Sequence, residues 1–215
     1  MPPTHGTGPE ADLDIIFALE MVGTAAFAIS GALAASRKNM DIFGFCVLAL
    51  MPAVGGGTLR DLLLDRNPVF WVANPSYVIV ALAAAVAVFY GIYRTGTRQR
   101  LLLWTDALGM ALFAAMGTDI SLQHGTGAIV AIMLGVATAV TGGIIRDIMC
   151  GEIPLVLTKE IYAIAAFVTG LVFWLVTIAG GSSDLALIVA TIAGFAMRGL
   201  AITYNWSLPP PRVRK

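Results

Sequence analysis

GGGTLRDLLLDRNP, residues 55–68, returns as TGGIIRDIMCGEIP, residues 141–154. The two stretches align without a gap at an offset of 86 residues, placing Gly56-Gly57 over Gly142-Gly143, Arg60-Asp61 over Arg146-Asp147 and Pro68 over Pro154. The same offset lays EMVGTAAFAISG, from Glu20, over DALGMALFAAMG, from Asp106. Gly23 then meets Gly109, Phe27 meets Phe113 and Gly31 meets Gly117. A fixed offset carrying this many identities is an internal duplication.

The composition names the solvent. The 215 residues are 58% hydrophobic and 12% charged, against about 45–50% and about 25% in soluble domains. Such a chain lacks the polar surface to dress a water-facing exterior, so lipid is expected around it. The formal net charge is zero, which removes any bulk attraction to nucleic acid. Seven stretches approach the length and apolarity of a spanning helix: 13–35, 42–64, 75–93, 103–122, 127–149, 160–180 and 184–204. The connections between them leave no room for a soluble domain.

An N-terminus placed outside puts Arg37, Lys38, Arg94, Arg98, Arg100, Lys159, Arg212, Arg214 and Lys215 on the cytoplasmic side and only Arg66 opposite. That asymmetry fixes the expected orientation and favours an odd number of spans. A multi-pass cell membrane protein with a cytoplasmic C-terminus is expected. MPPTHGTGPEADLD lacks the basic start and cleavage pattern of a signal peptide and reads as a short lead-in.

Each copy of the repeat holds three spans, so the second copy is inverted in the membrane. The expected fold is an all-α integral membrane bundle of seven transmembrane helices: two inverted three-helix repeats plus a seventh helix. The divisions are a disordered lead-in 1–11, repeat one 12–94, repeat two 101–180, the seventh helix 184–204 and a basic tail 205–215. Many transporter folds place their pathway between such repeats.

Two groups of residues carry the candidate chemistry. The first comprises Pro52, Gly55, Gly56, Gly57 and Thr58, with Thr141, Gly142 and Gly143 in the second copy. Glycine inside a helix costs about 1 kcal/mol relative to alanine, and proline removes a backbone donor and kinks the helix. Weakened backbone at membrane depth suits a wet cavity; the competing role is close helix packing. The second group is charge within spans: Glu20, Arg60, Asp61, Asp106, Asp119, Arg146, Asp147 and Arg198. Such groups normally face the bundle interior. Depth along the spans predicts contacts Glu20–Arg60 and Asp106–Arg146, with Asp119 a competing partner for Arg60. Neighbours such as Arg60 and Asp61 point in different directions on a helix and are not expected to satisfy each other. Arg198, near the inner end of its span, is expected to snorkel to the headgroups. Tyr77 and Tyr162, with Phe70 and Trp71, read as interfacial anchors.

Catalysis finds no residues to carry it. Cys46 and Cys150 sit in apolar stretches and His5 and His124 in loops, so neither a metal site nor a cofactor is expected.

GGGTLRDLLLDRNPVFWV, its partner GGIIRDIMCGEIPLVL and the closing AITYNWSLP resemble a prokaryotic member of the TRIC family, the trimeric intracellular cation channels. The resemblance extends over residues 12–208. It implies a homotrimer with one pore per protomer, lined by bent spans 2 and 5 and passing monovalent cations, chiefly potassium and also sodium. The hinges it implies are Gly55, Gly56 and Gly57 in the first copy and Gly142 and Gly143 in the second, each followed by Arg-Asp. Thr141 stands where the first copy has Gly55. Membrane lipids are the other expected partners. Inverted repeats serve carriers as well as pores, so a secondary transporter of a small zwitterion such as glycine is the competing function.

Overall fold

The computed structural model describes residues 9–91, 98–158 and 161–206, with side chains from Ile16 onward except Arg98. The first part of the expected lead-in, Arg94, Lys159 and the tail residues Arg212, Arg214 and Lys215 lie outside the described residues. Nine helices are described: α1 (Pro9–Arg37), α2 (Ile42–Leu63), α3 (Phe70–Ala73), α4 (Ser76–Gly91), α5 (Arg98–Gln123), α6 (Ala128–Met149), α7 (Leu155–Thr158), α8 (Ile161–Ile178) and α9 (Ser183–Tyr204). The chain is an all-helical membrane protein. Six of its helices are long and apolar enough to cross a membrane, and α4 is a shorter apolar helix. The 16 described residues of α4 rise about 24 Å, short of a hydrocarbon core of about 30 Å. Helix α1 begins at Pro9, earlier than the lead-in boundary expected from sequence; proline needs no amide partner in a first turn.

The two copies pack alike. Helix α4 lies on α1 and α2, as α8 lies on α5 and α6. Helix α9 has no counterpart and packs on α5 and α8. At the centre, Phe27 of α1 stacks on Phe113 of α5 with centroids 5.4 Å apart. Gly23 faces the Phe113 ring and Gly109 faces the Phe27 ring. Contacts that reverse in this way mean that α1 and α5 run antiparallel.

The α2/α6 crossing repeats the pattern. A Cβ on Gly56 would lie 1.9 Å from the Thr138 carbonyl oxygen, and one on Gly142 would lie 2.4 Å from the Pro52 carbonyl oxygen. Only glycine allows backbones this close. The helices again run antiparallel, so Arg60 and Arg146, each four residues past its crossing glycine, sit at opposite ends of the crossing.

Pro52 lies inside α2, which is helical throughout, as is α6. Both helices keep their helical assignment through the glycines, and the missing side chains of Gly56 and Gly142 serve the crossing. Pro52 has no N–H for the Leu48 carbonyl. Gly31 of α1 approaches that carbonyl so closely that a Cβ would lie 1.7 Å from its oxygen. In the second copy Thr138 replaces Pro52, and its hydroxyl donates to the Leu134 carbonyl at 2.7 Å.

Candidate permeation site

Consecutive positions on a helix point about 100° apart, because 3.6 residues make a turn. The three positions of each glycine run therefore face three different surroundings. Gly55, Thr58 and Thr141 line an apolar groove of about 430 Å³ together with Trp71 and Ile145. Gly56 and Gly142 form the crossing. Gly57 faces Phe70, where a Cβ would lie 2.5 Å from the ring. A Cβ on Gly143 would lie 3.2 Å from the Tyr162 hydroxyl, 3.6 Å from Asp106 Oδ1 and 3.7 Å from Arg146 Nη2. Residues expected to line one passage thus divide among three faces.

The charged residues gather beyond Gly57 and Gly143. Arg60 is buried and donates through Nε and Nη2 to Asp61 Oδ1, at 3.0 and 2.8 Å. Arg66 Nη1 reaches the same oxygen at 3.1 Å. Asp61 Oδ2 accepts the Phe70 amide at 2.9 Å, at the start of α3. In the second copy Arg146 Nε donates to Asp147 Oδ1 at 2.8 Å, and Asp147 Oδ2 accepts the Leu155 amide at 2.8 Å, at the start of α7. Arg146 Nη1 pairs with Asp106 and also bonds the Ser30 hydroxyl.

The Asp106–Arg146 contact is the one expected from depth. The Glu20–Arg60 contact is not formed: Glu20 accepts from the Tyr77 hydroxyl. The adjacent Arg-Asp pairs, expected to stay apart, bond in both copies. Each aspartate lies in the last turn of its helix, and its carboxylate also takes the first amide of the next short helix. A long guanidinium reaches that site easily. Asp119 accepts from Gln123 at 3.0 Å instead of competing for Arg60.

Arg198 does not snorkel. It is 3% exposed and its Cζ stands 4.9 Å from the Tyr162 ring centroid. Tyr77 and Tyr162 are buried, so neither is an interfacial anchor. Ser30, Arg66 and the two tyrosine hydroxyls are the site residues that sequence reasoning missed. The only available signal was the similar spacing of Tyr77 and Tyr162, 16 residues past Asp61 and 15 past Asp147. Thr58 donates to the Val54 carbonyl at 2.7 Å and accepts from Trp71 Nε1 at 2.9 Å, fixing the approach to α3.

Long apolar helices, a doubled packing scheme and charge held inside the bundle define a polytopic membrane protein with an internal duplication. A family model described as Glycine transporter matches twice, at residues 17–93 and 103–177, and the two matches begin one repeat offset apart. The chain is similar to a UPF0126 membrane protein of Vibrio cholerae, 38% identical over 92% of this chain and 83% of that one. It is 42% identical to the UPF0126 inner membrane protein YadS of Escherichia coli K12, over 74% of this chain and 77% of that one. Among solved structures it is similar to a TRIC trimeric intracellular cation channel orthologue from Rhodobacter sphaeroides, with 43% identity and a TM-score of 0.86 over 89% of this chain and 99% of that one. A prokaryotic TRIC channel solved in 0.5 M KCl gives 32% identity and a TM-score of 0.85, over 91% and 100%. The chain belongs to the TRIC family.

Proposed function

We propose that the chain is a passive channel for monovalent cations, potassium and sodium, with a path inside each protomer of a homotrimer. The path runs between the Arg60 and Arg146 clusters along the Gly57 and Gly143 faces of α2 and α6. The observation that carries this reading is the reciprocal packing at the α1/α5 and α2/α6 crossings. It supports two inverted copies, with the divisions 12–94 and 101–180, and it leaves one charged cluster at each end of the crossing.

Arginine beside a cation path would ordinarily repel the ion. Here each guanidinium bonds a carboxylate: Arg60 and Arg66 share Asp61, and Arg146 is shared by Asp106 and Asp147. Opening requires the Gly56–Thr138 and Pro52–Gly142 contacts to separate or slide, because the Phe27–Phe113 stack and the crossing close the centre. The bacterial inner membrane, with the N-terminus outside, is the expected location.

Purified protein in planar bilayers under a potassium gradient tests this directly. Discrete unitary currents that reverse near the potassium potential are expected. The description of the matching family model favours one other reading, a glycine carrier. Saturable glycine uptake into proteoliposomes without any unitary current would replace the channel with that carrier.

A further inference from the structure

The start of α5, the end of α9 and α7 enclose a cavity of about 90 Å³, lined by Gln99, Leu103, Leu155, Arg198, Asn205 and Trp206 among others. That is several times the space one water needs, about 10–15 Å³. Arg198 is the one charged residue among the described lining. Only 3% of it is exposed, and its Nε has no hydrogen-bond partner. Among the described residues it forms no ion pair; its guanidinium lies over the face of the Tyr162 ring, with the Asp106 carboxylate near enough to attract it but not bonded to it. A guanidinium removed from water without a bonded carboxylate is costly, and a ring face offsets only part of that cost.

The cavity's position identifies what would complete it. Helices α5 and α9 are both candidate spans, and the cavity lies where one begins and the other ends, at the level of lipid headgroups. Leu103 and Leu155 give it an apolar wall, Gln99 and Asn205 supply amides, and the half-exposed indole of Trp206 stands at its rim. In sequence, Arg98 and Arg100 flank Gln99. Basic pockets between spanning helices at this depth suit anionic headgroups, and a forked guanidinium suits phosphate.

We propose that this cavity binds the phosphodiester of an anionic lipid headgroup on Arg198. Occupancy holds the Tyr162 ring in place, and the Tyr162 hydroxyl lies beside Gly143, Asp106 and Arg146. The lipid thereby steadies the second charged cluster; this consequence, unlike the binding itself, rests on the channel reading above.

Native mass spectrometry of the purified protein with phosphatidylglycerol, phosphatidylcholine or inorganic phosphate tests the binding without any current measurement. Its failure is therefore distinct from failure of the channel reading. Wild type is expected to retain phosphatidylglycerol over phosphatidylcholine. Arg198→Gln should lower that retention about tenfold, the worth of one charge-assisted hydrogen bond, and Arg198→Lys should lower it less. Ile202 also lines the cavity; Ile202→Trp fills it while leaving Arg198 in place and should also lower retention, which covers the case in which Arg198→Gln does not fold. Equal retention by wild type and a folded Arg198→Gln or Ile202→Trp variant would overturn the site. Inorganic phosphate binding through Arg198 while phosphatidylglycerol does not bind would overturn the lipid assignment.

Discussion

The two copies end in charged clusters of opposite sharing. In the first, one carboxylate, Asp61, serves two guanidiniums, Arg60 and Arg66. In the second, one guanidinium, Arg146, serves two carboxylates, Asp106 and Asp147. Two positions make the difference: Arg66 of the first copy aligns with Glu152 of the second, and Glu20, which does not reach Arg60, aligns with Asp106, which pairs with Arg146. Glu152 turns away to Arg37 and Lys38, at 2.9 and 3.1 Å. The leftover charge meets a tyrosine in each copy, Glu20 through the Tyr77 hydroxyl and Arg198 through the Tyr162 ring. A duplicated frame thus carries two electrostatically distinct ends. The lesson is that backbone packing kept the symmetry while side chains departed from it.

The largest expected effect tests what the copies share. Gly56→Leu and Gly142→Leu each drive a side chain into a carbonyl oxygen, and each should lower stability by more than about 3 kcal/mol. Thermal unfolding of the purified variants checks this, and unequal losses would break the symmetry of the crossing. Next comes the difference between the ends. Asp106→Asn removes one of two carboxylates from a fully buried guanidinium, which keeps Asp147, and should cost about 1.5–3 kcal/mol. Glu20→Gln leaves Tyr77 an amide oxygen to donate to and should cost about 1 kcal/mol. Equal denaturant midpoints for these two variants would remove the contrast. Arg66→Gln breaks a pair whose arginine is 33% exposed, and Asp61 keeps Arg60, so under about 1 kcal/mol is expected. Thr58→Val deprives Trp71 of its acceptor in one copy only; a loss of about 1 kcal/mol with a changed tryptophan emission sharpens the difference further.

Much of the frame was legible in the sequence because the duplication preserves spacing. The spans, the offset and the Asp106–Arg146 pair follow from depth along helices of known rise. What stayed hidden depends on direction. Helices α3 and α7 are four residues each, too short for any periodicity. Without them, nothing showed that Asp61 and Asp147 would fold over their helix ends toward a following amide and so meet the neighbouring arginine. The glycine run read as one lining, whereas helical rotation gives each glycine its own face. Tyr77 and Tyr162 sit near span ends in sequence, as interfacial aromatics do, but their neighbours close over them. Arg198 lies on a helix that has no duplicate, so no second copy was available to show what it contacts.

Which face of α6 lines the ion path can be measured by thiol modification during single-channel recording. In a background with Cys46 and Cys150 replaced by alanine, Gly143→Cys and Thr141→Cys are each treated with a positively charged methanethiosulfonate in potassium solution. Modification at position 143 is expected to reduce the unitary current, and modification at 141, in the apolar groove, to leave it unchanged. A blocked current at 141 with an unaltered one at 143 would contradict a path between the two charged clusters.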